Sequence, residues 1–345
     1  MAHMPEITPD CIQKVLRGYS IYGTLGEVNE LLRYNYTDGK SARIIVKCAF
    51  DDREPVVLKF RNEEDVTARL IEEQTEFSQE LMRGGVPTAR FYTCAGKYVS
   101  EYAVCGYDLL VTCERFCGGQ VRAVTPDIAF KTGAMLAKSH NISEERDCHV
   151  DCPVLFDPLG ENDLFSFAEF KKFTTYFPEE NELWARTERV YAAYMGELSR
   201  MKSRKRYAVQ GDVSCENLFV EGGGVGVFDF NRCGDNVLFL DAAMQAVYES
   251  RLMDYPEELT EEYSRAILTE FLRGYNLVRP FTQEECALFG KLSAVCRAFW
   301  KMDLIYAENS VKNLLETDRP AALEKLKALS ARLFAENFMP QQTLM

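Results

Sequence analysis

The segment AVQGDVSCENLFVEGGGVGVFDFNRCGD, residues 208–235, sets Asp212, Asn217 and Asp229 among apolar residues. After Asn217 the chain runs LFV, turns through EGGG and returns as VGVFD, a short hairpin that brings Asp229 back beside Asn217. Carboxylates and amides among apolar strands are costly unless a cation or a hydrogen-bond network meets them. An oxygen cluster of this kind suits Mg2+, which takes a carboxylate or two, keeps waters and binds substrate phosphates. Asn217 and Asp229 are then the candidate metal ligands, and Asp212 is left to accept a proton from a hydroxyl.

On the N-terminal side the chain is β-rich. ARIIVKCAF (42–50) and PVVLKF (55–60) are apolar runs with β-branched residues, joined by the polar turn DDRE; a turn-like YTDGK precedes them. From about 64 to 83 the apolar spacing of Val66, Leu70, Phe77 and Leu81 predicts a helix, which Gly84-Gly85 stops and Pro87 bars from continuing. Two more strands are expected, ARFYTCAG (89–96) and YDLLVTCERF (107–116), the second ending at Gly118-Gly119. Beyond residue 120 the pattern is helical at 126–140, through most of 162–204, and at 257–275, 283–308 and 320–337. The expected fold is therefore α+β and bilobal: a β-rich lobe with one helix over 1–116, then a helical lobe over 117–345 that carries the hairpin.

Bulk composition narrows the function classes. A chain of 345 residues with 47% hydrophobic and 27% charged residues is of enzyme size and of ordinary globular composition. The formal net charge of −13 argues against nucleic acid or an anionic membrane as main partner, and would suit a cationic small molecule. No apolar run reaches the roughly 18 residues of a membrane span. No basic-then-apolar secretory leader is visible, and the 12 cysteines are scattered. Together these give the expectation of a cytoplasmic protein with reduced thiols. The cluster Cys148-His149-Val150-Asp151-Cys152 matches no familiar zinc spacing.

The motif Gly211-Asp212-x-x-x-x-Asn217 followed by Phe228-Asp229-Phe230 resembles the catalytic loop and metal-binding strand of the protein-kinase-like fold, H-R-D-x-x-x-x-N and D-F-G. More closely, it is similar to the aminoglycoside phosphotransferase and choline kinase superfamily of small-molecule kinases, where the loop usually reads H-G-D-x-x-x-x-N. Val57-Leu58-Lys59 resembles the third-strand lysine motif V-A-I-K. LMRGGVPTA (81–89), TGAMLAKSH (132–140) and FLRGYNLVRPFTQEE (271–285) resemble further segments of that superfamily, so the likeness spans about 25–335.

The resemblance implies transfer of the γ-phosphate of ATP, with Mg2+, to a hydroxyl of a small molecule such as an aminoglycoside, choline or homoserine. It implies Asp212 as catalytic base, Asn217 and Asp229 on Mg2+, and Lys59 on the α- and β-phosphates. Glu73, with Glu72 and Glu76 as rivals, is the expected partner of Lys59; Lys47, also at the end of a strand-like run, competes with Lys59 itself. Gly26 and Asn29 in GTLGEVN (23–29) are expected to cover the phosphates, and Glu114 to Phe116 to meet the adenine edge through backbone groups. Asp241 opens LDAAMQAVY, where helix capping explains it; the resemblance adds a role in bracing the catalytic loop. His140 reads as a packing residue.

Two positions depart from the family pattern. Gln210 stands where the family has histidine, and Asn231 where protein kinases have the glycine of D-F-G. Only twelve residues separate Asp229 from Asp241 and no A-P-E follows, which leaves no room for a protein kinase's peptide-binding segment. The alternative to a small-molecule kinase is a non-catalytic nucleotide-binding relative.

Overall fold

The computed structural model describes residues 6–35, 41–104, 106–154, 156–160, 162, 164–250 and 260–335. The turn expected at 36–40 and the start of the helix expected at 257–259 lie outside them. Contacts divide the chain into two compact units: Met1–Gln120 with His149–Cys152 and Leu218–Asn231, and Val121–Cys148 with Pro153–Asn217 and Arg232–Met345.

The first unit begins with a helix, α1 (Pro9–Gly18), that the sequence reading does not foresee. Thr8 caps it through the Cys11 amide and Pro9 stands at its first turn, where a missing N–H costs nothing. Five strands follow: β1 (Leu25–Asn35), β2 (Ala42–Phe50), β3 (Val56–Asn62), β4 (Val99–Val104) and β5 (Tyr107–Arg115), with α2 (Ala68–Arg83) between β3 and β4. They form one antiparallel sheet in the order β1-β2-β3-β5-β4. Alternation decides its two faces. Ile44, Val46, Leu58, Phe60, Val111 and Cys113 bury one face under Ile12, Val15 and Leu16 of α1. Each such side chain contributes about 1.5–3 kcal/mol relative to exposure. The opposite face carries Arg43, Ile45 and Lys47 on β2, and Val57, Lys59 and Arg61 on β3.

The segment 89–96, expected as a strand, makes only isolated bridges, Phe91 with Glu114 and Cys94 with Lys97. Ala95 and Gly96 both take positive φ, so the chain turns there before it can run alongside a neighbour. The strand forms instead at β4 (Val99–Val104). A two-stranded hairpin, β7 (Leu218–Glu221) with β8 (Gly224–Val227), forms as expected from the EGGG turn, but it belongs to this unit and not to the helical one expected to carry it.

The second unit is mainly helical: α3 (Pro126–Glu145), α4 (Phe167–Thr174), α5 (Asn181–Leu198), α6 (Leu238–Glu249), α7 (Glu261–Val278), α8 (Gln283–Ala298), α9 (Val311–Thr317) and α10 (Arg319–Phe334). Short strands β6 (Tyr207–Val209) and β9 (Gly234–Asn236) pair antiparallel within it. Helices α3 and α7 pack with backbones nearly touching: a Cβ on Gly133 would lie 2.0 Å from the Phe271 carbonyl oxygen, and one on Gly274 1.9 Å from that of Phe130. That close approach sets His140 of α3 against Tyr275 of α7. The α+β class expected from the sequence is the class observed, with an antiparallel sheet first and helices after it.

Candidate active site

In the first unit the site is built on the open sheet face. Register sets Lys59 opposite Ile45 on one side and Thr112 on the other, and Arg43 directly opposite Arg61. Lys59 Nζ lies 3.0 Å from Glu114 Oε1 and 3.3 Å from Asp229 Oδ1. Arg43 Nη2 donates to Asp229 Oδ2 at 2.9 Å, and Arg61 Nε to Glu63 Oε2 at 2.6 Å. Asp229 itself sits at φ 57°, a left-handed conformation that an L-residue holds only where its surroundings impose it. Phe230, next in sequence, is buried edge-on against Phe77 of α2, ring centroids 6.0 Å apart.

The two carboxylates beside Lys59 are pushed in opposite directions. Burial alone would raise Asp229, but the charges of Lys59, Arg43 and Arg61 outweigh it and hold its carboxyl below the ordinary range. Burial dominates at Glu114 and raises it, with Lys59 compensating only in part. Its second oxygen, Oε2, is buried with no hydrogen-bond partner among the described residues. The cations around Asp229 thus favour its charged form, while burial disfavours the charged form of Glu114. Burial also disfavours the charge on Lys59, yet Asp229 and Glu114 more than restore it, so the ammonium persists.

In the second unit the loop after β6 presents Asp212. Gly211 takes φ 80°, and a Cβ there would lie 2.6 Å from the Arg232 carbonyl oxygen, so only glycine fits. Gln210, in the family's histidine position, accepts from the Asp212 amide through Oε1 at 2.8 Å: the bond is structural and an amide serves it. Asn217 closes the loop, its Nδ2 donating to the Asp212 carbonyl at 2.9 Å and to Oδ2 at 3.1 Å.

A buried chain of hydrogen bonds braces this loop from below. The Val213 amide donates to Gln245 Oε1 at 3.1 Å, and Gln245 Nε2 to Asp241 Oδ1 at 3.3 Å. Asp241 Oδ2 lies 3.0 Å from His140 Nε2, and His140 Nδ1 lies 2.8 Å from the Tyr275 hydroxyl. A carboxylate only accepts, so Nε2–H donates to Asp241 and the phenol donates to Nδ1. Burial raises Tyr275 far above an ordinary phenol, which keeps that proton in place. Asp241 is thus not a helix cap; it lies inside α6, whose N-cap is Val237. His140, expected only to pack, is a link in the brace. Gln245→Leu should cost about 1–3 kcal/mol, because it strands the Val213 amide and one Asp241 oxygen. Urea unfolding checks this; an unchanged midpoint would show that the chain carries no load.

Beside the loop lies an aromatic series, Phe156 stacked on Tyr248 with centroids 5.4 Å apart, and Tyr248 tilted to Trp300 at 6.4 Å. Burial pushes the Tyr248 hydroxyl up to about 12, with Asp212 and Glu216 adding to it.

Several expected residues stand elsewhere. Glu73 does not meet Lys59; it pairs with Arg69 at 2.7 Å and accepts from the Asp151 amide. The rivals are engaged too, Glu72 with the Val99 amide and Glu76 with Arg83. The buried stripe of α2 runs through Ile71, Gln74, Thr75 and Ser78, so Glu73 projects sideways and Gln74 points in, donating to the Asn231 carbonyl at 3.3 Å. The partner of Lys59 is Glu114, whose expected role was a backbone contact in the connector; it lies within β5 with its side chain on the lysine. The Phe116 amide donates to the Pro55 carbonyl at 3.0 Å, and its ring lies under Lys47 Nζ at 3.9 Å. Gly26 and Asn29 are strand residues of β1, Asn29 opposite Lys47, and not residues of a loop. Arg43 and Arg61 were missed. Their alternation with Ile44 and Phe60 was visible, but not which face would carry the chemistry.

Comparison with known proteins adds a sequence and a structural match. The sequence profile described as "Phosphotransferase enzyme family" matches residues 43–281. No curated protein matches the chain in sequence. An amicoumacin kinase solved with AMP-PNP, Ca2+ and Ami is 15% identical, with TM-score 0.57 over 96% of this chain and 97% of its own. A microcompartment-associated aminopropanol kinase is 14% identical, with TM-score 0.56 over 97% and 99%. An aminoglycoside phosphotransferase from Alicyclobacillus acidocaldarius is 13% identical, with TM-score 0.52 over 91% and 92%. At these identities the likeness is one of fold.

Proposed function

Because the chain belongs to the phosphotransferase enzyme family, we propose that it moves the γ-phosphate of ATP to a hydroxyl of a small molecule with the help of Mg2+. The observation that carries this reading is Asp229, a carboxylate kept ionised in a left-handed conformation by Lys59 and Arg43. An anion maintained at such cost suits a divalent cation, and the surrounding basic side chains suit a polyphosphate.

The residues fit both groups. Asn217 spends its amide nitrogen on Asp212, so its oxygen is the atom left for a cation. Asp229 would supply a carboxylate oxygen of the kind Mg2+ takes when phosphates and waters complete its shell. Bound there, Mg2+ would neutralise charge on the phosphates. Lys59 would bind the phosphate chain as a point charge. Asp212, held by Gln210 and Asn217, would orient the acceptor hydroxyl and take its proton late in transfer. The AMP-PNP and Ca2+ in the amicoumacin kinase structure support a nucleotide and a divalent cation for this fold.

For the acceptor, the aromatic series Phe156, Tyr248 and Trp300 with the acids Asp212 and Glu216 supports a cationic, amine-bearing molecule. Aminoglycoside-, choline- and homoserine-like compounds are the classes to try. A cytoplasmic site of action is in keeping with free thiols such as the buried Cys48, which burial pushes up to about 12, and the half-buried Cys117, pushed up to about 11. No described helix is long and apolar enough to cross a membrane.

Acceptor-dependent release of ADP, followed in a coupled assay over hydroxylated amines, sugars and antibiotics, tests the proposal. Release with one class supports it. Nucleotide binding with no release over the whole panel favours the non-catalytic relative.

A further inference from the structure

Arg43 is more than one surface cation among many. It lies directly opposite Arg61 across β2 and β3, and like charges in paired strand positions destabilise a sheet. With Lys59 it makes three largely buried cations on one face, met by the carboxylates of Asp229, Glu114 and Glu63. The cost of gathering them is offset only while each cation keeps its acid. Asp229 is shared, since Arg43 holds Oδ2 at 2.9 Å and Lys59 holds Oδ1 at 3.3 Å. A divalent cation that takes Asp229 competes with both for its oxygens. Arg43 then faces Arg61 and Lys59 with its own acid withdrawn, and a polyphosphate is the anion whose oxygens match a guanidinium fork.

We propose that Arg43 is a positioning residue that serves two anions in turn: it competes with the divalent cation for Asp229 and, once displaced, binds the phosphates of the nucleotide. This rests on the phosphotransferase reading of Asp229. A divalent cation alone then binds weakly and cation with nucleotide binds well, so the metal site is completed only when a nucleotide arrives.

The proposal predicts effects of opposite sign. Arg43→Gln removes the competitor, so Mn2+ alone, titrated by the electron paramagnetic resonance of the free ion, should bind severalfold more tightly. The same variant should bind Mg·ATP roughly 10- to 100-fold more weakly by calorimetry, the size of one charge-assisted hydrogen bond. Arg43→Lys keeps a charge on Asp229 but loses the fork, so Mn2+ affinity should stay near wild type while Mg·ATP still weakens. Thermal unfolding of both variants shows that they fold.

If Mn2+ and Mg·ATP weaken together in Arg43→Gln, the arginine only props Asp229 and the proposal is overturned. Unchanged values for both ligands overturn it as well. Should Arg43→Gln fail to fold, Arg43→Lys decides alone: Mg·ATP affinity equal to wild type refutes the phosphate role. Failure of the underlying reading looks different, because wild type would then bind Mn2+ as well after Asp229→Asn as before.

Discussion

Asp212→Asn should lower turnover by roughly 10²–10⁴ while nucleotide affinity stays near that of wild type, the range that general base catalysis contributes. The substitution is almost isosteric. The carbonyl of residue 212 still accepts from Asn217, and its amide still donates to Gln210. What is lost is the carboxylate able to take the hydroxyl proton. The expected signature is a fall in kcat with nucleotide KM little changed, because the interaction removed belongs to the transition state. Steady-state kinetics against both substrates would show it. Near-normal turnover would remove Asp212 from the base role.

Asp229→Asn should be at least as damaging, in a different way. It removes the proposed metal ligand and the shared anion of Arg43 and Lys59 together. Turnover should fall by roughly 10³, the several kcal/mol of charge stabilisation that a divalent cation supplies. Mg2+-dependent nucleotide affinity should fall as well, which separates this variant from Asp212→Asn. Two cations left beside Glu114 alone should also cost stability, about 1–3 kcal/mol for partly accessible groups. Calorimetry with and without Mg2+ measures the first effect and thermal unfolding the second. Wild-type affinity that still rises with Mg2+ would place the cation elsewhere.

What could be read from the sequence follows from which constraints are local. The hairpin after Asn217 was legible because the EGGG turn and its apolar flanks lie within a few residues of one another. The helix α2 was legible from its spacing, but the face was not: a stripe drawn through Leu70 and Phe77 makes Glu73 point inward, whereas burial runs through Ile71 and Gln74. One residue of helix is a large rotation, enough to exchange an exposed glutamate for a buried glutamine. Gly26 and Asn29 read as a loop because glycine near a strand start resembles a turn; the chain instead carries them into β1 with irregular register.

Arg43, Gln245 and the pairing of Glu114 with Lys59 were beyond reach for a common reason. Glu114 meets Lys59 only because β3 pairs with β5, and Arg43 meets Asp229 across 186 residues of sequence. Gln245 reaches Val213 by lying one turn beyond Asp241 on α6. Such partners are fixed by strand register and helix packing, which residue spacing does not encode. The departure at residue 210 shows the converse: a motif letter can change when the geometry needs only a hydrogen-bond acceptor.

The most direct test is mass spectrometry of a pooled set of small hydroxyl compounds incubated with ATP, Mg2+ and protein, with Asp212→Asn run in parallel. Phosphate gained by one acceptor class with wild type, and sharply reduced with the variant, is the expected result. Nucleotide bound but no compound phosphorylated, or equal phosphorylation by both proteins, would contradict a small-molecule kinase that works through Asp212.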